Sequence, residues 1–398
     1  MRIMFCDIWD KALPKILELS KRYPNHEYYL CHFGSITEKK KSERVLKKYN
    51  ITIIDISFRK NGLNYKNFIG KIRPDVIILF TFFHITDYYF LIMAKNENIR
   101  TIYLQHGLHV FTKNSIELNS SFLQKIGKYI KYSNRLIYSG FQSKNINTIY
   151  KIFSYLFKLP FYIGKTWELK IDNYMPDYYI VYSLFDKNYL YNNFGIKKKK
   201  IYISGYFEGI NNTTDNAIQI NGRYAIYISQ PLVEDRIIDY NSYSEIISEI
   251  NNCCKKFNTK LIIKLHPREN EINYKDNCNK IDDNIIFVKN CNIEELMRGA
   301  VVIWGHFSTL LLQAIKQYKP IIIIEPNNIS FKVPDIIRNS IYLVSYILKP
   351  NEINKIDLTM LDIDKEKYDQ IIREYIYDEG TNSYEIIYNV INEMKKKH

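Results

Sequence analysis

IIKLHPRE (Ile262–Glu269) and VVIWGHFSTLLLQAI (Val301–Ile315) are the stretches of sequence that decide the fold. Each is a β-branched apolar run that ends in polar residues, and the second continues into an apolar helical pattern. Such runs predict buried strands of a parallel sheet, whose carboxyl ends share one edge. Because polar side chains and helix amides at that edge bind anions, the two stretches indicate a nucleotide site.

The same alternation of strand and helix patterns extends along most of the chain and is interrupted by one linker. Strand patterns occur at Met1–Ile8, Glu27–Gly34, Ile51–Ser57, Asp75–Phe83, Thr101–Gly107, Asp177–Ser183 and Lys200–Phe207, and again at Tyr224–Gln230, Lys260–Pro267, Asn284–Asn290, Val301–His306 and Pro320–Pro326. The polar segment NNTTDNAIQING (Asn211–Gly222) separates the two series. We therefore predict an α/β protein with two Rossmann-like domains, 1–212 and 222–365, facing a cleft, and a C-terminal helix over 366–398.

Length and composition are those of a folded protein with more than one core. The 398 residues exceed one ordinary domain, and 46% of them are hydrophobic. No run approaches the ~20 apolar residues of a membrane span, and MRIMFCDIWDKAL carries charges where a signal peptide is apolar. We expect a cytoplasmic protein. The six cysteines lack CxxC or His–Cys metal spacing, so we expect neither a disulfide nor a metal site.

The net charge of +14 implies an acidic partner, although an AT-rich coding sequence is an alternative account of the many lysines. A basic aromatic segment, about 114–170, resembles an insertion in the first domain and has no acidic residue between Ser120 and Lys165. Its cations are Lys125, Lys128, Lys131, Arg135, Lys144, Lys151, Lys158 and Lys165. The segment suits peripheral contact with the inner face of the cytoplasmic membrane, and a helix packed on its own domain is the alternative.

His266 and Pro267 end one strand, and proline stops strand pairing there. An imidazole at a sheet edge donates to a phosphate or protonates a leaving group, while a plain strand end is the alternative. Behind Gly305, Ser308 and Thr309 open an apolar helix, where hydroxyls and amides suit a phosphate and an ordinary N-cap is the alternative.

Further candidates lie at two other strand ends. Glu234 and Asp235 follow the first strand after the linker, where a carboxylate can act as general base or simply cap a loop. Gln105 and His106 follow a strand of the first domain, on the side expected to hold the acceptor substrate. A structural role for His106 is the alternative.

In their order and separation these motifs resemble bacterial two-domain glycosyltransferases that use CMP-activated nonulosonic or ulosonic acids. The nearest groups are the lipooligosaccharide sialyltransferase family and the capsule polysaccharide Kdo-transferase family. The resemblance covers mainly Tyr224–Glu325, and QHG before it gives weak support. It rests on Gln230, Glu234 and Asp235 in SQPLVED, His266 and Pro267 in KLHPRE, and Ser308 and Thr309 in HFSTLLLQAI.

The resemblance implies a GT-B fold, a CMP-sugar donor, Asp235 as the base, and His266, Ser308 and Thr309 around the CMP phosphate. The related sialyltransferases commonly have glycine after the acidic pair, whereas Arg236 follows here. The DEG triplet Asp378–Gly380 comes after the His-Pro motif and suits a capping turn.

The donor chemistry predicts an inverting, metal-independent reaction without a cofactor. CMP leaves as a phosphate dianion, which His266, Lys264, Arg268 and the Ser308–Thr309 amides would stabilise. Asp235 or Glu234 would deprotonate the acceptor hydroxyl.

Two other functions remain open from the sequence. QHG, HPR and the Ser-Thr helix also resemble the CDP-glycerol glycerophosphotransferase family of teichoic acid synthesis. A basic nucleic-acid-binding protein is the non-enzymatic alternative, but no RNP, KH or helix-turn-helix signature is present and we expect no nucleic-acid partner.

Overall fold

The chain forms two compact units. A computed structural model of the protein describes residues 1–6, 13–32, 49–55, 68–82, 85–106, 133–134, 136–158, 174–205, 220–235, 237–278, 283–289, 291–308, 310–325, 338–376 and 382–396. The first unit comprises Met1–His106, Lys113–Gly205 and Glu379–His398. The second comprises Gly107–Thr112 and Tyr206–Asp378.

The first unit is built on a parallel sheet of seven strands. They are β1 (Arg2–Cys6), β2 (Glu27–His32), β3 (Ile51–Asp55), β4 (Val76–Leu79), β5 (Arg100–Leu104), β6 (Tyr178–Val181) and β7 (Ile201–Ile203). Their order in the sheet is β3-β2-β1-β4-β5-β6-β7. This is the 3-2-1-4-5-6 order of Rossmann folds with one added edge strand.

Helices connect these parallel strands. They are α1 (Leu13–Arg22), α2 (Phe68–Ile72), α3 (Ile85–Asn96), α4 (Ile146–Lys158) and α5 (Leu184–Phe194), with a 3₁₀ turn at Lys198–Lys200. The ends of α5 follow from local sequence. The Ser183 hydroxyl accepts from the Asp186 amide, and Gly195 ends the helix with φ of 67°, a conformation that glycine adopts without steric cost.

The second unit repeats the Rossmann order without the extra strand. Its strands are β8 (Tyr224–Ile228), β9 (Lys260–Lys264), β10 (Ile285–Val288), β11 (Ile303–Gly305), β12 (Ile321–Ile324) and β13 (Ser345–Leu348). Their order is β10-β9-β8-β11-β12-β13, and all described pairs are parallel. The order of the strands reverses between β8 and β11, which is the position where such sheets open a crevice for ligands.

The helices of the second unit are α6 (Tyr240–Lys256), α7 (Glu271–Cys278), α8 (Ile293–Gly299), α9 (Leu311–Lys316) and α10 (Lys365–Ile371). Helical turns at Ile341–Val344, Pro350–Lys355 and Ile372–Ile376 complete the unit. Asp239 caps α6 by accepting from the Ser242 amide at 2.8 Å. The capping side chain thus fixes where the chain turns from the site loop into the helix.

The central strands of the two sheets are buried on both faces, as is β4 in the first unit. Every residue of β8 and β12 is buried, and the largest buried side chain of this unit, Trp304 of β11, is 0% exposed. Each such apolar side chain contributes roughly 1.5–3 kcal/mol by leaving water. These continuous apolar strands confirm the prediction of two parallel-sheet, Rossmann-like α/β units.

The C-terminal region differs in detail from its prediction. The sequence predicts one helix over 366–398, and the structure has two there: α10 in the second unit and α11 (Ser383–Lys396) in the first. On α11, the Tyr388 ring stacks on Tyr23 at 3.6 Å between centroids, and Glu393 accepts from the Tyr202 hydroxyl at 3.2 Å. The chain therefore returns to its first unit after completing the second.

Candidate functional site

The site predicted in the second unit lies at the carboxyl edge of three neighbouring strands. β9, β8 and β11 are adjacent in the sheet, and each is followed by a polar residue of the predicted set. Gln230 follows β8, His266 follows β9, and Ser308 follows β11. The structure thus brings these three chain segments to one sheet edge, at the β8–β11 switch point.

The imidazole of His266 is oriented by the turn that follows it. The Arg268 amide donates to His266 Nδ1 at 3.1 Å, so Nδ1 is the unprotonated nitrogen of the neutral ring. The proton of the neutral ring therefore sits on Nε2, which becomes a donor. Pro267 is exposed in the same turn.

Glu269 supports this turn and is a site residue that the sequence analysis missed. Its side chain is 0% exposed, and it accepts from the His266 amide and, at 2.6 Å, from the Ser229 hydroxyl. Burial raises the pKa of Glu269, and these hydrogen bonds oppose the rise. The backbone Glu269 amide donates in return to the His266 carbonyl at 3.0 Å. This reciprocal contact resembles a capping box, and its signal in the sequence is a glutamate three residues after His266.

A tyrosine pair connects Glu269 to the predicted base loop. Tyr243 and Tyr274 pack edge to face at 4.8 Å between ring centroids, and Tyr243 hydrogen-bonds Ser229 at 3.0 Å. The Tyr274 hydroxyl donates to Glu234 at 2.8 Å. Burial, and then the negative charges of Glu269 and Glu234, raise the pKa of Tyr274. The phenol therefore stays protonated and holds the Glu234 carboxylate in place.

Asp235 and Arg268 form a two-pronged ion pair. The guanidinium donates to both carboxylate oxygens, at 2.7 and 2.8 Å. This contact is the main cause that raises the pKa of Arg268. The sequence analysis predicted separate roles for the two residues, base and phosphate ligand. In the pair, each oxygen of Asp235 accepts an N–H, and the adjacent guanidinium charge makes the carboxylate a weaker base while the pair is closed.

Lys264 lies at the same carboxyl edge of the sheet, where its ammonium group is bound to backbone carbonyls. Its ammonium group donates to the Leu265 and Lys289 carbonyls at 2.9 and 2.8 Å. Burial lowers the pKa of Lys264. Lys289 in turn donates to the Glu269 carbonyl at 2.6 Å. The two lysines link the ends of β9 and β10 and support the His266 turn.

The loop after β11 is hydrogen-bonded to the loop after β8, on the other side of the switch point. The Phe307 amide donates to the Gln230 side chain at 2.9 Å, which joins the loops of β8 and β11. Ser308 accepts from the Leu310 amide at 3.2 Å, and Thr309 lies outside the described residues. At Gly305, an added Cβ would lie 3.3 Å from the Leu311 side chain, so the absence of a side chain lets α9 pack closely on β11.

His306 is a second residue that sequence analysis missed, and its role is structural. It is 0% exposed, its Nδ1 donates to the Ile324 carbonyl at 2.6 Å, and its Nε2 accepts from the Tyr227 hydroxyl at 2.7 Å. Burial lowers the pKa of His306 to about 4. The neutral ring joins β11 to the ends of β8 and β12.

The first unit has its own polar cluster at the carboxyl edge of β5 and β6. Lys15 of α1 is 5% exposed and donates to His106 Nδ1 at 3.1 Å, which leaves the proton of the neutral His106 ring on Nε2. Gln105 is buried and accepts from the Tyr182 amide at 2.8 Å. Beside them, burial raises the pKa of Asp186 to about 6. The sequence does not predict Lys15, Tyr182 and Asp186 as site residues, because only tertiary packing brings them to Gln105 and His106.

Comparison with known folds identifies the architecture. The chain is similar along 99% of its length to the spinosyn forosaminyltransferase SpnP, with a TM-score of 0.56, 13% identity and 99% of that chain covered. It is similar along 99% of its length to the calicheamicin glycosyltransferase CalG4, with a TM-score of 0.55, 12% identity and 97% of that chain covered. It is also similar to the S. aureus MnaA–UDP co-structure (0.59, 11%, 99% of this chain and 97% of that chain). At these identities the similarity establishes the fold, which is GT-B.

Within the described residues, no helix has both the length and the apolarity needed to cross a membrane.

The comparison with curated proteins gave no match. The sequence profile of the alpha-2,8-polysialyltransferase (POLYST) family matches residues 33–324, well over half of the chain. The protein is a glycosyltransferase. The chain belongs to the alpha-2,8-polysialyltransferase family.

Proposed function

We propose that this glycosyltransferase moves a sialic-acid-like nonulosonic acid from a CMP-activated donor to a glycan acceptor of a bacterial surface polysaccharide or lipooligosaccharide, with inversion. The observation that carries the proposal is the edge of β9, β8 and β11, where the turn after β9 orients His266 and Gln230 fixes the loop of Ser308. The family match supports the sialyl class of donor.

In this proposal the leaving group is stabilised by hydrogen bonds and charge. His266 donates through Nε2 to the CMP phosphate as the glycosidic bond breaks, and Ser308 and Thr309 contact the same phosphate. Because CMP leaves as a dianion that these donors neutralise, the scheme requires neither a metal ion nor a cofactor.

Arg268 and Asp235 act in sequence in this proposal. The phosphate of the donor competes with Asp235 for the guanidinium, because Arg268 is 55% exposed and can turn toward a ligand. Donor binding thus releases the Asp235 carboxylate, which takes the proton of the acceptor hydroxyl as that oxygen attacks the anomeric carbon. Glu234, held by Tyr274, orients the loop.

The acceptor belongs to the same proposal. A net charge of +14 favours an anionic acceptor, such as a growing chain of nonulosonic acids, and a lipid-linked acceptor at the inner face of the cytoplasmic membrane fits a basic, peripheral enzyme. Gln105 and His106 of the first unit are the proposed acceptor-side residues.

Calorimetry with the purified protein tests the donor assignment. CMP and CDP should bind at least about 10-fold more tightly than UDP or GDP, and EDTA should leave the affinity unchanged. Preference for UDP or GDP would refute the donor assignment. Tight binding of CDP-glycerol, with none of a CMP-sugar, would move the assignment to glycerophosphate transfer.

A further inference from the structure

Helix α4 of the first unit has two faces of different character. Toward the interior it buries Thr148, Ile152 and Leu156, which are 2%, 0% and 5% exposed. These residues recur every fourth position and therefore share one side of the helix. This face accounts for the packing of α4 on its own unit.

The opposite side carries large apolar residues in solvent. Ile146, Tyr150 and Phe157 are 82%, 73% and 77% exposed. At about 100° per residue their directions fall within about 40° of one another, so they form one stripe. Phe141, 59% exposed in the helical residues 136–142, extends the stripe through an edge-to-face contact with Phe153 at 6.3 Å. We call these residues, with Phe153, the apolar stripe.

Positive charge flanks the apolar stripe. Lys144 and Lys151 are exposed, and Lys151 lies about 140° around the helix from Ile146. The sequence has no acidic residue between Ser120 and Lys165. A helix with an apolar stripe, nearby cations and no carboxylate of its own matches the profile of an anionic bilayer, in which acyl chains lie beneath negative headgroups.

We propose that the apolar stripe of α4 docks this protein on an anionic membrane surface, with the helix lying in the plane of the headgroups. The aromatic rings of Tyr150 and Phe157 suit the interfacial region. A symmetric dimer through the same face would bring together two copies of a helix that carries cations and no carboxylate, which charge repulsion disfavours. The docking surface lies outside the transfer chemistry of the second unit.

Vesicle flotation tests the proposal. The wild-type protein should float with vesicles of phosphatidylglycerol and phosphatidylcholine at low salt. Ile146→Ser, Tyr150→Ser and Phe157→Ser combined should lower the bound fraction at least about 10-fold, because three side chains lose their apolar burial. The matched control combines Ile272→Ser, Leu343→Ser and Met360→Ser, whose native side chains are 67%, 62% and 76% exposed in the second unit. This control should float as the wild type does.

Three further measurements complete the test. Lys151→Glu should weaken binding, and the loss should shrink at high salt, where screening already weakens the contact. The emission of Phe157→Trp should shift to shorter wavelength on vesicles, while that of Met360→Trp should not. In sizing runs without lipid, the wild type and the triple stripe variant should have the same size.

Equal flotation of the stripe variant and the wild type would overturn the proposal. So would no flotation of the wild type at low salt, or a wild-type dimer that the stripe substitutions convert to a monomer. The test contains no nucleotide, so its failure is separate from failure of the proposed transfer reaction.

Discussion

The carboxylate of Glu269 shows how single residues organise this site. It is completely buried, and it accepts hydrogen bonds from the His266 amide and the Ser229 hydroxyl, so neutral donors stabilise its charge directly. The cations nearby serve backbone carbonyls or, in the case of Arg268, Asp235. The site therefore satisfies its charges internally, and in the proposed reaction the donor phosphate competes with Asp235 for Arg268.

We expect substitutions of Asp235 and Arg268 to affect different steps, catalysis for Asp235 and CMP binding for Arg268. Asp235→Asn should lower kcat on the order of 10²-fold or more while CMP still binds, because the proton acceptor is lost and the guanidinium is released. Arg268→Gln should weaken CMP binding and leave the carboxylate present. Calorimetry and steady-state kinetics measure both effects. The control is Asp362→Asn, which changes an exposed carboxylate in the loop before α10. Near-normal kcat in Asp235→Asn with loss in Glu234→Gln would assign the base to Glu234.

At the scale of elements, polar links between strand ends shape the edge. Gln230 joins the loops after β8 and β11, and His306 joins β11 to the ends of β8 and β12. Both side chains act across the switch point between β8 and β11. They help to fix this edge of the sheet, and the hydrogen bonds of His306 depend on its ring staying neutral.

His306 predicts a specific pH dependence of stability. Its pKa falls from 6.5 to about 4 on folding because the buried ring disfavours charge. Its contribution is complete above about pH 6.5 and is lost as the pH falls toward 4, since only the unfolded state takes up the proton in this range. The total is on the order of 3 kcal/mol. Urea unfolding between pH 4 and 7 should show a steeper decline for wild type than for His306→Gln. Parallel profiles would contradict this account.

The elements themselves are largely predictable from sequence, and their polar links are not. Short β-branched runs such as PIIII predict buried strands, because they are too short for a helix and rich in isoleucine. The His-Pro pair predicts a strand end because proline stops strand pairing. Tyr274 and His306 were missed as site residues because their partners are distant in sequence. Glu269 has one local partner, His266, but its contact with Ser229 joins two different loops. Burial and hydrogen bonding, which define their roles, appear only after the chain has folded.

For the whole molecule, the sequence predicts two Rossmann-like units but not the path of the C-terminus. The amphipathic pattern after residue 365 indicates helix without naming the surface it covers. The structure places α10 in the second unit and α11 in the first, where Tyr388 stacks on Tyr23. The aromatic contacts that decide this assignment join residues from opposite ends of the chain.

Acceptor-dependent release of CMP from a CMP-activated nonulosonic acid tests the central claim most directly. The wild-type protein should release CMP only when a glycan acceptor is present, with EDTA in the buffer. His266→Ala should lower kcat on the order of 10²-fold or more without a change in the thermal unfolding midpoint, because the Nε2 donor to the phosphate is lost. Acceptor-dependent transfer from a UDP- or GDP-sugar instead, or a His266→Ala enzyme within a few-fold of wild type, would contradict it.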